Sequence, residues 1–497
     1  MVDSKAQKLS SYDSLSPAAT SRLDAQVRSP AYDRGRLATG IVHLGLGAFH
    51  RAHQAVYTEQ VIASGDSRWG IVGVSLRDAR VPQTLNAQGC LYSVTERHGD
   101  QAHTRVVGAL KAALHAPTQL DAVLTALGSP STAIVTITVT EKGYSQNAAT
   151  GALDLDDEAV RHDLAHARAP RSTLGVLAEG IRRRPAGAPL TVMCCDNMAA
   201  NGDTLRKLLV QYAQEIDASL ARRIESDIAF PNSMVDRIVP AATAESLQYA
   251  AGCLGLHDAA AIVCEPFTQW VIEDRFTGPR PAWEEAGALL TGDVRPYQAM
   301  KLRLLNGTHS AIAYAGQLRG LDSVSDAMAD PLVGSFARRL MLEDLRATVA
   351  APAGYDVQAY CRDLLKRFEN PALAHRTQQI AMDGTQKVPV RWLPALRESL
   401  AAGIERPLLE RALAAWLHYL IYERSDAGAV LHISDPGAAA LAERLRQASS
   451  PQQAVAAALA HAPVFGAESY PPAFAARIAQ HLTTLKEGGM AALLAQH

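Results

Sequence analysis

Residues 41–54 read IVHLGLGAFHRAHQ: an apolar run, two glycines one residue apart, then a segment with helical spacing that carries two histidines and an arginine. A strand, a glycine turn and a helix in that order form the dinucleotide-binding turn. Its first glycine makes the tight bend, its second lets backbone approach a pyrophosphate, and its third lets the helix pack on the strand. Gly45 and Gly47 fill the first two places, and His50 stands at the third. The helix start is therefore expected to sit off the strand or to turn His50 outward. Arg51, next to it, is placed either to meet phosphate or to point into solvent as an ordinary helical arginine.

Working outward, short β-branched runs recur at 69–75, 132–140 and 190–195. Such continuous apolar runs suit strands buried on both faces of a parallel sheet. The helical spacing of AFHRAHQAVYTEQVIASG between the first two runs makes residues up to 75 a β-α-β unit with a right-handed crossover. From about Pro296 the β-branched runs give way to Ala/Leu/Arg-rich helical patterns. The expected organisation is α/β: an N-terminal arm (1–36), a Rossmann-type domain (37–290) and a mostly α-helical domain (291–497).

Composition narrows the function. The 497 residues are 48% apolar and 20% charged with a formal net charge of -2, which speaks against disorder and gives no footprint for nucleic acid or an anionic membrane. Six cysteines form no C-x-x-C pair and read as reduced core residues. The first 36 residues lack a signal-peptide h-region and no window resembles a membrane span, so a cytoplasmic location is expected. The remaining partner class is a small molecule.

The acid that selects a ribose 2'-hydroxyl should follow the second strand, and SLRDAR places Asp78 there. Asp78 favours NAD, while Arg77 and Arg80 beside it keep NADP as the lesser alternative. The strongest chemical cluster is KLRLLNGTHS. On an α-helix Lys301, Asn306 and His309 share an arc of about 140°. A lysine drawn out of water can exchange a proton near neutrality, and an amide beside it can stabilise a developing alkoxide. An amphipathic helix with a solvated lysine would show the same spacing. CCDNMAANG puts Asp196, Asn197 and Asn201 at a strand's carboxyl end, where ligands bind in open sheets. For Asp196 and Asn201 helix capping is the preferred reading. Glu141 and Lys142 of TEKGY either line the same crevice or pair at its rim. Tyr297-x-x-x-Lys301 matches a short-chain dehydrogenase dyad but lies too late in the chain for that fold.

GLGAFHRAHQ, TEKGY, CDNMAANG, FPNSMVDRIVP, CEPFTQWVIEDRF, KLRLLNGTHS and AMDGTQK, in this order, resemble the polyol-specific long-chain dehydrogenase family from about residue 38 onward. The resemblance implies a nucleotide-binding domain, a helical domain, an active site between them and no metal. It makes Lys301 the general acid/base, Asn197 and Asn306 the amides that hold the reacting oxygen, and His309 the substrate-orienting histidine. It also makes G-x-G-x-F-H-R-A-H the family's own cofactor turn, with Phe49, His50 and Arg51 beside the two glycines, and implies a monomer or weak homo-oligomer.

Two departures stand out. Gln298 and Ala299 occupy places where the family commonly carries an acid, which removes that proton path. Lys142-Gly143 replaces the glycine pair of the mannitol members, and Gln379 replaces their arginine. Lys142, Arg376 and Lys387 supply cations suited to a hexuronate carboxylate, so these motifs resemble the fructuronate reductase branch more than the mannitol branch. The expected reaction is NAD-dependent interconversion of fructuronate and mannonate, with a polyol dehydrogenase as the enzymatic alternative and a non-catalytic nucleotide sensor as the alternative outside enzymes.

Overall fold

The computed structural model describes residues 12–147, 150–373 and 375–496, apart from the side chains of Glu141 and Lys142. The chain divides into two compact units, residues 1–295 and 296–497.

In the first unit the apolar runs become six parallel strands: β1 (Thr39–Leu44), β2 (Gly70–Ser75), β3 (Leu110–His115), β4 (Ile134–Ile137), β5 (Leu190–Cys194) and β6 (Ile228–Ala229). Their order is β3-β2-β1-β4-β5-β6, the doubly wound arrangement whose ligand crevice lies where the order reverses, beside β1 and β4. Alternation along β1 sends Ile41 into one core and Val42 and Leu44 into the other. Helix Gln54–Ala63 covers the first face with Val56, Val61 and Ile62. Helix Thr173–Arg183 covers the second with Leu174, Leu177 and Ile181.

The sequence reading had no strand at Leu110–His115 or Ile228–Ala229, nor the antiparallel hairpin Tyr92–His98/Gln101–Val107. LKAALH has helix-forming composition, and pairing with β2 overrides it; β6 has two residues and no periodicity to read. The described part of the N-terminal arm, residues 12–36, is docked on the first unit. Leu15, Ala19 and Val27 pack with Leu91, Val106, Leu254 and Leu256. Arg34 donates to the carbonyls of Gly108 and Leu110 at 3.0 and 2.8 Å.

The second unit is helical among the described residues. Helix Thr308–Arg319 is buried on all sides from Thr308 to Leu318, and helix Pro407–Tyr422 from Leu408 to Leu420, so both are interior helices. Helix Pro472–Leu494 packs on the latter. Two segments are π-helical, Lys301–Gly307 and Leu340–Leu345.

A fully buried histidine, His43, sits in the middle of β1. Its Nδ1 bonds Thr136 Oγ1 at 2.8 Å, and its Nε2 lies 3.0 Å from both Gly45 O and Thr138 Oγ1. Burial holds its pKa down to about 3, against roughly 6.5 in an unfolded chain. Between these values the unfolded chain carries a proton that the folded chain lacks. Stability present above pH 6.5 is therefore lost as pH falls toward 3, by up to about 1.4 kcal/mol per pH unit. Glu59, raised by burial, acts with the opposite sign. Urea unfolding from pH 7 to 4 should thus show a shallower fall in stability for His43→Gln than for the unaltered chain; equal slopes would remove His43 from the linkage.

Candidate functional site

In the first unit the carboxyl ends of β1, β2 and β4 border a cavity of about 450 Å³, lined among others by Gly45, Gly47, Ser75, Asp78 and Thr140. Gly45 has φ +99°, and a Cβ there would lie 2.0 Å from Thr138 O, so neither its backbone nor its surroundings admit a side chain. A Cβ on Gly47 would approach nothing closer than Gly45 O, at 3.8 Å. The bare α-carbon of Gly47 thus leaves open space beside the cavity, the cradle that a pyrophosphate needs. Asp78 lies past the end of β2, its backbone oxygen accepting a 2.6 Å bond from Ser75 Oγ. Its carboxylate is exposed and paired with Arg80 at 2.7 Å, which holds its pKa below the usual range. Gly45, Gly47 and Asp78 suit the pyrophosphate and ribose of a dinucleotide.

The three residues after the glycines do not line this cavity. His50 is buried and lies flat on His43, ring centroids 3.3 Å apart and planes within 9°. Burial first, then His43 and Arg51, push its pKa well down, so it is neutral. The third glycine's place is filled by a ring one van der Waals thickness from the strand. Arg51 is also buried: Nη1 donates to Ala260 O at 2.6 Å and Nε to Gly47 O at 3.3 Å, with the guanidinium 5.4 Å from the Tyr92 ring. Phe49 stacks on His53 at 5.1 Å. His50 and Arg51 are thus packing beneath the turn rather than groups facing this cavity, while Phe49 is half-buried. The helix ends at Ala52 and restarts at Gln54, because His53 (φ -119°, ψ -90°) leaves helical geometry.

At the end of β5 the capping reading is also revised. The Asp196 carboxylate accepts from the N–H groups of Val139 and Thr140 and from Tyr144 Oη at 2.9, 3.2 and 2.5 Å, tying β5 to the TEKGY turn. Thr140 is held there at φ +67°, a conformation normally left to glycine. Asn201 is buried, donating to the carbonyls of Cys194, Asp196 and Ser233. The first turn of helix Asn201–Ile216 is met by two amides: Asn201 Oδ1 accepts from Gly202 N–H, and Asn232 Oδ1 accepts from Gly202 and Asp203 N–H. Asn197 is exposed between these two anchored neighbours. Lys142 falls in the turn Glu141–Tyr144, with its side chain outside the described residues.

In the second unit the π turn Lys301–Gly307 runs directly into helix Thr308–Arg319, and Lys301, Asn306 and His309 are all buried. Bonding i→i+5 stacks residues five apart one turn above another, so Lys301 and Asn306 stand closer in azimuth than an α-helix would place them. Asn306 Nδ2 and His309 Nε2 are buried with no hydrogen-bond partner among the described residues. Buried polar atoms are rarely left so, and these two suit the hydroxyls of a ligand. The His309 ring lies against Phe368 at 5.2 Å and edge-on to His375 at 4.9 Å. Its pKa is pushed well down by burial and then by His375, Arg391, Arg367 and Lys387.

That group of basic residues was only partly visible in the sequence. Lys387 belongs to it, half-buried, with Nζ donating to Ile380 O at 3.1 Å. Arg376 and Gln379 are exposed and outside it. His375, Arg367 and Arg391 were missed. Arg391 could have been found by its i,i+4 spacing from Lys387 on helix Gly384–Arg391. His375 and Arg367 carry no such signal. Gln298 is buried and its neighbour Ala299 half-buried.

Residues 39–285 match the mannitol dehydrogenase Rossmann domain, and residues 293–486 the mannitol dehydrogenase C-terminal domain. D-mannonate oxidoreductase of Escherichia coli (strain K12) is 44% identical over 82% of this chain and 85% of its own. Mannitol 2-dehydrogenase of Cereibacter sphaeroides is 38% identical over 94% and 98%. The solved structure of Pseudomonas fluorescens mannitol 2-dehydrogenase, a ternary complex with NAD and D-mannitol, superposes with a TM-score of 0.88 at 35% identity, covering 97% of this chain and 98% of that one. A doubly wound sheet with a two-glycine turn, followed by a helical unit bearing a buried lysine, amide and histidine, matched over nearly the full length, establishes that this chain belongs to the mannitol dehydrogenase family of oxidoreductases.

Proposed function

We propose that the protein interconverts D-fructuronate and D-mannonate with NAD as cofactor. The observation that carries the substrate assignment is the set of cationic side chains about His309, namely Lys387, Arg391 and Arg367, with His375 beside them held neutral by burial at a pKa of about 4. Gathering positive charge around a buried neutral imidazole is costly for a neutral polyol and useful for a substrate carboxylate. The likeness to D-mannonate oxidoreductase supports the same choice. Asp78, at the end of β2, is suited to accept from a ribose 2'-hydroxyl and so favours NAD over NADP.

NAD(H), when bound, supplies or accepts the hydride. In the reducing direction Asn306 donates to the carbonyl oxygen as it gains charge, and the Lys301 ammonium gives that oxygen its proton. In oxidation the neutral lysine takes the proton back from the carbinol. His309, kept neutral by burial, can accept from one substrate hydroxyl and donate to another, which fixes which carbon faces the hydride. Lys387 places the carboxylate.

Three measurements test this reading. NADH oxidation with fructuronate, tagaturonate and fructose side by side should favour fructuronate, and fructose turnover far above both uronates would overturn the substrate assignment. Lys387→Met should raise KM for fructuronate by about 10- to 100-fold, the worth of one charge-assisted hydrogen bond, and spare fructose. Lys301→Ala should abolish turnover while NADH binding persists; surviving turnover would exclude the proton-transfer role. For the cofactor turn, Gly47→Ala should keep the melting temperature and weaken NADH binding by about tenfold or more, since the added methyl meets phosphate rather than protein. Gly45→Ala should lower the melting temperature as well.

A further inference from the structure

The π turn Lys301–Gly307 is clamped from outside. Helix Gly384–Arg391 ends against it: Arg391 Nη1 donates to Asn306 O at 3.3 Å and to Ser310 Oγ at 2.8 Å, and the Trp392 indole N–H donates to Gly307 O at 2.9 Å. Both carbonyls belong to the last two residues of the π turn. The clamp lies close on Gly307: a Cβ there would be in van der Waals contact with Arg391 O at 3.5 Å and Trp392 Cδ1 at 3.6 Å, and tight only against Leu345 Cδ1 at 3.3 Å. From another direction Arg303 bonds Thr348 O and, at 2.7 Å, Glu398.

A π turn is a rare, locally unfavourable alternative to α-helix, found as single turns at functional sites, and it persists where its surroundings hold it. Here the difference is chemical. With i→i+5 bonding Lys301 and Asn306 are stacked, whereas a relaxed α-helix would turn them about 140° apart. Asn306 meets the clamp through its backbone oxygen while its side-chain nitrogen has no partner among the described residues. Whatever holds the turn therefore decides whether the lysine amine and the amide address one point.

We propose that Arg391, seconded by Trp392, is a positioning residue that holds the π turn so that Lys301 and Asn306 act on the same oxygen. The inference rests on the roles given to those two residues above. In Arg391→Lys the ammonium cannot span both Asn306 O and Ser310 Oγ, and Trp392→Phe keeps the ring but loses the donor. Each should lower kcat by about 10- to 100-fold on fructuronate and fructose alike, with KM changed far less, as expected when reacting groups are misplaced by about an ångström. NADH affinity, set by the first unit, should not move.

Unchanged kcat in both variants would overturn the proposal. So would a rise in KM confined to fructuronate with kcat intact, which would make Arg391 a carboxylate contact. If either variant melts early, Ser310→Ala decides, since it removes only the shorter Arg391 bond: a partial loss of kcat supports the clamp and no loss refutes it. Lys301→Ala in parallel separates the two readings. If it retains turnover, the assigned roles fail; if it is inactive while Arg391→Lys and Trp392→Phe are normal, only the clamp fails.

Discussion

At the end of β1 the chain must bend within one residue, under the carbonyl of Thr138 at the end of β4. A Cβ at Gly45 would lie 2.0 Å from that oxygen. The constraint propagates in both directions. Behind the turn, the Gly45 carbonyl is met by Thr138 Oγ1 and by His43, which must stay neutral to sit inside the sheet. Ahead of it, the helix cannot rest on the strand through a third glycine, and the His50 ring fills the gap by lying on His43. Two buried imidazoles without charge replace one missing hydrogen atom's worth of clearance. Arg51 then anchors the displaced helix to the carbonyl of Ala260.

The two units solve different recognition problems by different means. The first offers bare backbone and one exposed carboxylate, Asp78, which suits a phosphate-bearing ligand of extended shape. The second offers side chains withdrawn from water, where an amide nitrogen and an imidazole nitrogen are left without partners among the described residues. Such atoms are costly to bury, by about 1–3 kcal/mol each, and a polar ligand relieves that cost. The π turn belongs to the same logic, since it brings a buried amine and a buried amide, Lys301 and Asn306, closer in azimuth than regular helix would.

Legibility followed the physical origin of each feature. Continuous β-branched runs announce buried parallel strands because both faces must be apolar, so β1, β2, β4 and β5 were readable from residues 41–47, 69–75, 132–140 and 190–195. β3 was not, because its alanines and lysine take strand geometry only through pairing with β2. Lys301, Asn306 and His309 were visible as a helical stripe of polar groups, yet the stripe assumed α geometry. Asp196 looked like a cap because short polar side chains after a strand usually are, whereas Asn201 shares the cap with Asn232, some thirty residues on.

By itself the sequence determined what periodicity and local stereochemistry control: a parallel sheet, a glycine turn at its first strand, a helical second half, and the residue types present for proton transfer. Tertiary structure decided what depends on groups far apart in the chain. It turned His50 and Arg51 into packing by bringing His43 and Ala260 beneath the turn. It drew Arg367, His375 and Arg391 into the surroundings of His309, and it bent KLRLLNG into a π turn held by Arg391 and Trp392. The physical reason is range. Steric and hydropathic preferences act between neighbours and survive in the sequence, while electrostatic fields and hydrogen bonds to distant carbonyls exist only once the chain has folded.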